Sequence, residues 1–178
     1  MDARLTKTDW LDHGLRTLAR SGAGALKVVP MAAALKVSRG SFYWHFRDIA
    51  DFHAELLRHW QLRMTDRIVG DLEAGVAEGQ RLNQLMKRAM AADNRLDRAV
   101  RHWAAQDKSV AEAVAAVDRT RVAYITRLFA AAGVRGKRAS SRAAFVYAAY
   151  LGQSALADPR LAAIPQSAID EIAGLLKR

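Results

Sequence analysis

Nowhere in this chain of 178 residues do apolar and polar side chains alternate for long enough to make a half-buried strand. Apolar residues recur three and four apart instead, in an alanine- and leucine-rich background holding only 3 Pro and 11 Gly, so the chain reads as all-α. Thr6-Lys7-Thr8-Asp9 has the form of a capping box, in which the Thr6 hydroxyl accepts from the Asp9 amide while the Asp9 carboxylate reaches back. A first helix follows, with Trp10, Leu11, Gly14, Leu15, Leu18 and Ala19 on one stripe and Ser21-Gly22-Ala23-Gly24 as its stop. A short second helix is expected from about Val28 to Leu35, then a tight turn at Lys36-Val37 and a third helix of about seven residues capped by Ser38. The long fourth helix, capped by Asp48, runs from Ile49 to about Met64 with Ile49, Phe52, Leu56, Leu57 and Trp60 on its apolar side. Residues 4–64 then form an N-terminal domain and 65–178 a separate bundle, with helices at about 80–92, 95–106, 109–132, 140–156 and 167–177.

The length suits one domain, or two small ones sharing a core. Without cysteine there is no disulfide, thiolate nucleophile or Cys-ligated zinc. Met1 to Trp10 lacks the apolar stretch of a secretory signal. The longest uncharged run, Ala143 to Ala157, has 15 residues and includes Gly152, Gln153 and Ser154, which is shorter and more polar than a bilayer span of ~20. A cytoplasmic protein without membrane contact is the expectation. Lys plus Arg number 28 against 18 Asp plus Glu, a net charge of +10 that points toward an anionic partner. The excess is spread over the chain, but the acids are not: from His13 to Arg47 there is no Asp or Glu, while Arg16, Arg20, Lys27, Lys36, Arg39 and Arg47 are present.

Three short helices, the second and third joined by a tight turn, make a helix-turn-helix unit whose last helix is shaped for the DNA major groove. With Phe42 as zero, Phe46 lies at about 40° and Arg39 at about 60°, while Gly40, Trp44 and Ser41 lie at about 160°, 200° and 260°. Phe42 and Phe46 therefore anchor the helix, and Gly40, Ser41 and Trp44 point outward with Tyr43 and His45 on the flanks. Such a face suits DNA. Glycine lets the backbone approach the groove, Ser41, Tyr43 and His45 can donate to phosphates, and Arg39 can donate twice to guanine. Trp44 can pack on sugar or thymine methyl groups; its alternative is packing against the next helix. The acid-free stretch favours DNA, because a phosphate-facing surface excludes carboxylates whereas a solvated one mixes signs.

Leu5 to Trp60, and above all Val37-Ser38-Arg39-Gly40-Ser41-Phe42-Tyr43-Trp44-His45-Phe46-Arg47-Asp48, resembles the DNA-binding domain of the TetR family of bacterial transcriptional regulators. The resemblance implies a homodimeric all-helical repressor with a ligand-binding C-terminal domain. It matches Ser41, Tyr43 and His45 to phosphate contacts, and Arg39, Gly40 and Trp44 to groove-facing positions. Ser38 stands at the helix start within the same motif. The chain departs from the family pattern at Lys36, where glycine is usual in the turn; at Ile49, where a phosphate-touching lysine is common; and at Lys27, where threonine is usual. Lys27 has the reach for a phosphate but caps poorly. Arg47, or the helix start behind Asp48, is the candidate replacement for the missing lysine.

In the C-terminal half, Ala143 to Gly152 is apolar on every side, and such a helix must be covered on both faces. A second copy of the chain is the expected cover, through Phe145, Ala148, Ala149, Leu151 and Gly152, joined by Ile172 and Leu176 of the last helix; an intramolecular core is the alternative. His102, Trp103, Gln106, Tyr124 and Phe129 lie on helices that in the family surround an effector pocket, although by spacing alone they read as core. Enzyme motifs fail. Gly70 and Gly75 have P-loop spacing, but Val76-Ala77 stands where Lys-Ser/Thr is required. Gly152-Gln153-Ser154-Ala155-Leu156 lacks the second glycine of a nucleophile elbow, and the five histidines have no metal-ligand spacing. No catalytic residue, metal or cofactor is expected. Two function classes remain: a regulator released by a small molecule from an inverted-repeat DNA operator, and a helical protein-interaction module that keeps the fold without operator binding.

Overall fold

The capping box forms: in a computed structural model, Thr6 Oγ1 accepts from the Asp9 amide at 3.2 Å and the Thr6 amide donates to Asp9 Oδ2 at 2.8 Å. The structure describes residues 5–153, 155–156 and 158–178, so residue 4 at the expected domain start, and Ser154 and Ala157 of the uncharged run, lie outside the described residues. Among those described there is no strand. Helix α1 (Lys7–Ser21) buries Trp10, Leu11, Gly14, Leu15 and Leu18 and stops at Gly22, whose φ of 74° a side chain would resist. A 3₁₀ turn over Ala23–Ala25 leads to α2 (Val28–Ala34), which Lys27 precedes without a side-chain cap. Lys36 turns the chain with a φ of 57°, alone among the described non-glycine residues in being left-handed, at a cost of ~1 kcal/mol.

Helix α3 is shorter than the spacing suggested, covering only Arg39–Tyr43, because the His45 amide turns back to the Phe42 carbonyl at 3.0 Å. Ser38 occupies its N-cap position, but its side chain makes no capping bond. Helix α4 (Ile49–Gln61) is capped by Asp48, whose Oδ1 accepts from the Asp51 amide at 2.8 Å. The helical path does not stop near Met64: it passes through a π-helical turn, Leu62–Asp66, into α5 (Arg67–Gly75). Sequence reasoning missed both. Ile68, Val69, Leu72 and Val76 carried the apolar spacing, but Gly70 and Gly75 masked it.

The rest is α6 (Glu78–Ala91), α7 (Arg95–Ala104), α8 (Lys108–Ala131), α9 (Lys137–Gln153) and α10 (Gln166–Lys177). Two compact units result, one made of the chain through Met64 plus residues 95–114, the other of 65–94 plus 115–178. A single cut after residue 64 does not describe them, since α7 packs on α1 and on the 3₁₀ turn of the first unit. In that unit Trp10, Phe42, Phe46 and Phe52 form an aromatic core with ring centroids 5.0 to 5.6 Å apart. Asp12 Oδ1 accepts from His59 Nε2 and Arg63 Nη1, both at 2.6 Å, which ties α1 to the C-terminal end of α4 and the following turn. The second unit is built around Leu72, Leu82, Met86, Phe129, Ala143, Ile169 and Ala173.

Candidate nucleic-acid interface

The α3 region divides sharply between core and solvent. Phe42 and Phe46 are 0% and 2% exposed, while Tyr43 and Trp44, beside them in the chain, are 53% and 75% exposed. Anchoring by the two phenylalanines fixes which side the other residues present. Ser38, Arg39 and Gly40 are exposed and Ser41 half-buried. The Arg39 guanidinium makes no hydrogen bond or ion pair with any described residue, so it can turn to an external acceptor. Gly40 has room around it: an added Cβ would meet only Ser38 Oγ, at 3.6 Å. Nothing inside the chain demands a glycine there, whereas the close approach of another molecule's backbone would.

His45 is placed differently from the sequence expectation. Its Nε2 lies 2.9 Å from the carbonyl oxygen of Leu5. A carbonyl only accepts, so Nε2 carries the proton and is committed to holding the segment before α1; a phosphate bond from this ring would fall to Nδ1. Arg47 is exposed, with its guanidinium 3.5 Å from Asp51 Oδ1, and its amide donates to Asp51 Oδ2 at 3.1 Å. That amide bond, with the guanidinium beside it, holds the Asp51 carboxyl below its ordinary range. The amides behind Asp48 are already served by its cap, which leaves the Arg47 side chain as the nearer candidate for a phosphate in place of the lysine replaced by Ile49.

All six basic residues of the acid-free stretch, Arg16, Arg20, Lys27, Lys36, Arg39 and Arg47, are exposed. The Arg16 and Arg20 charges, added to burial, push the nearby His13 below its usual value. A surface that disfavours a further proton is one that attracts anions.

No family model matches the chain. It is 33% identical over 72 residues to the HTH-type transcriptional regulator AcrR of Shigella flexneri, a match that covers 40% of this chain and spans about a third (31%) of that protein's length. In fold it is similar to a transcriptional regulator from Rhodococcus sp. Rha1, with a TM-score of 0.72 at 22% identity over 97% of this chain and 96% of the other. The chain belongs to the TetR family.

The residues that membership in the TetR family suggested for an effector pocket are divided by the structure. His102, Trp103 and Gln106 lie in the first unit, where Gln106 and His102 share a 3.1 Å hydrogen bond on the surface and Trp103 packs edge-on to the His53 ring at 4.9 Å. Tyr124 and Phe129 lie in the second unit, both buried. Phe129 belongs to its apolar core, and Tyr124 also lines a cavity of about 410 Å³ with Asp66, Val69, Thr120, Ala123 and Arg127. Sequence reasoning could not find that cavity, because α5 had not been assigned.

Helix α9 has a buried side, Ala139, Ala143, Val146 and Tyr147, and an apolar exposed side, Phe145, Ala148, Ala149 and Gly152. Phe145 is 65% exposed. On α10, Ile172 and Leu175 are exposed, while Leu176 and, on α9, Leu151 pack partly against the unit's own core. Arg142 of α9 donates to the Leu176 carbonyl near the end of α10, so the two helices are joined within the unit.

Proposed function

We propose that the protein is a DNA-binding transcriptional repressor: a homodimer that grips an inverted-repeat operator through α3 and its flanks, and lets go when a small molecule binds. The observation that carries this is the α3 surface. An arginine without a partner, a glycine with open space, and an exposed tyrosine and tryptophan stand on a helix held from behind by phenylalanines, inside 35 residues without a carboxylate. Arg39 reads base edges; Ser38, Ser41, Tyr43, Lys27 and Arg47 supply phosphate contacts around it. His45 fixes the helix end through Leu5 and has only Nδ1 left for a phosphate.

Dimerisation follows from the exposed faces of α9 and α10. A contiguous apolar face of that kind marks a contact surface, and a two-fold pairing covers both copies at once. Effector release then requires a ligand with different affinity for the DNA-competent and DNA-incompetent arrangements of the dimer.

Titration of duplex DNA at increasing salt is the test, performed on the wild type and on Arg39→Ala and Tyr43→Phe. Steep loss of affinity with salt is expected for a phosphate-dominated complex. Arg39→Ala should lose ~1 to 3 kcal/mol against the preferred sequence only, and Tyr43→Phe should weaken every duplex alike. Salt-insensitive binding, or equal losses on every duplex for both variants, would reject the reading.

A further inference from the structure

We infer that the cleft between α5 and α8 around Tyr124 is a binding site for an uncharged, mainly apolar small molecule carrying one hydroxyl or carbonyl group. Its role as the effector site rests on the ligand-release reading above; its existence as a site does not.

Thr120, Ala123, Tyr124 and Arg127 occupy positions i, i+3, i+4 and i+7 of α8, so one stripe of that helix lines the cleft. Val69 of α5 and Asp66, the last residue of the π turn, line it from the other helix. The volume of about 410 Å³ lies in the range of small-molecule sites. Tyr124 is 5% exposed, and its hydroxyl is buried without a hydrogen-bond partner among the described residues. A buried hydroxyl left unpaired is costly, and a phenylalanine would fill the same space without that penalty. A hydroxyl retained at such a place, in the wall of a cavity, is a group waiting for a partner from outside the chain.

The other polar atoms narrow the ligand class. Thr120 Oγ1 donates to the Ala116 carbonyl at 3.1 Å, so it can only accept further. The Arg127 guanidinium lies 5.3 Å from the centre of the Tyr124 ring and 3.7 Å from Glu73 Oε1. Asp66 adds a carboxylate on the opposite wall. An anionic ligand would face Asp66, and a cationic one Arg127. An uncharged molecule avoids both penalties, lays its apolar body on Val69, Ala123 and the Tyr124 ring, and completes the tyrosine hydroxyl with its single polar group. The ligand would thereby touch the π turn, through which the chain passes from α4 to α5.

The test is a calorimetric titration of the full chain and of Tyr124→Phe with 4-methylphenol, toluene, 4-hydroxybenzoate and tyramine, alongside melting curves without ligand. The wild type should bind 4-methylphenol about tenfold more tightly than toluene, the equivalent of one satisfied hydrogen bond, and more tightly than either charged analogue. Tyr124→Phe should abolish the preference over toluene and should melt at or above the wild-type midpoint. The site is overturned if 4-methylphenol binds no better than toluene, if the preference survives in Tyr124→Phe, or if that variant melts lower, which would make the hydroxyl a structural group. DNA affinity is measured separately. Tyr124-dependent binding that leaves DNA affinity unchanged supports the site and overturns the ligand-release reading, whereas DNA binding without a Tyr124-dependent preference overturns the site alone.

Discussion

Gly40 shows how a single residue separates the demands of folding from those of binding. It lies in the first turn of a five-residue helix with a negative φ and open space beside it, so the fold gains nothing from it. Gly40→Ala is expected to leave stability unchanged or to raise it by up to ~1 kcal/mol, yet to weaken DNA binding, because a methyl group would hold α3 away from the groove. Melting curves and a duplex titration on the same variant check both signs at once. His53 carries a different prediction. Burial lowers its pKa from the ordinary 6.5, against a hydrogen bond to the Leu26 backbone and the Asp107 charge that act the other way. Below 6.5 the unfolded chain takes up a proton that the folded ring resists, so stability is complete above that pH and is lost as pH falls through it. His13 acts in the same direction, and the carboxylates Asp12 and Glu55, lowered from 3.8 and 4.5, add their losses only at more acid pH. The melting midpoint should therefore drop between about pH 7 and 5, and His53→Gln, which keeps a donor without titrating, should flatten part of that drop.

At the scale of elements, the contact between α1 and α4 turns on Gly14. A Cβ there would stand 2.7 Å from Phe52 Cζ and 2.9 Å from Leu56 Cδ1, both buried core side chains. Gly14→Ala should thus be destabilising by ~1 to 3 kcal/mol, despite the better helix propensity of alanine; chemical denaturation measures it. What the sequence made legible was local. The Thr6-Asp9 box, the Asp48 cap, the Gly22 stop and the inward Phe42 and Phe46 depend on neighbours three or four residues away, and each forms. The left-handed Lys36 was legible as one of two ways to build the turn. What was not legible depended on distant partners or on a slip of hydrogen-bond register. The π turn at Leu62–Asp66 leaves no mark in composition, α5 hid behind Gly70 and Gly75, and α3 ended early where the chain turned toward α4. The commitment of His45 to Leu5, 40 residues away, needed the fold.

For the whole molecule, the sequence showed two halves but not which residues join them. Helix α7 groups with the first unit because Trp103 meets His53 and because α7 packs on α1, contacts that no local pattern encodes. Assembly remains the larger question, and the exposed apolar side of α9 answers it in a testable way. Ala148→Asp would bury one unpaired charge from each copy at a two-fold interface, a penalty of several kcal/mol per ion. Sedimentation should find a dispersed monomer with its helicity retained; an unchanged dimer would place the interface elsewhere.

A symmetric dimer with one α3 per copy fixes the distance between its two DNA contacts, so the bound sequence must be symmetric as well. The most direct measurement is selection of duplexes from a random pool by the wild-type protein, followed by insertion of half a helical turn between the two halves of the selected site. The account predicts an inverted repeat, with loss of at least about tenfold in affinity on insertion, since the second α3 would then face the wrong side of the duplex. A selected site without symmetry, or one whose affinity survives the insertion, would contradict it.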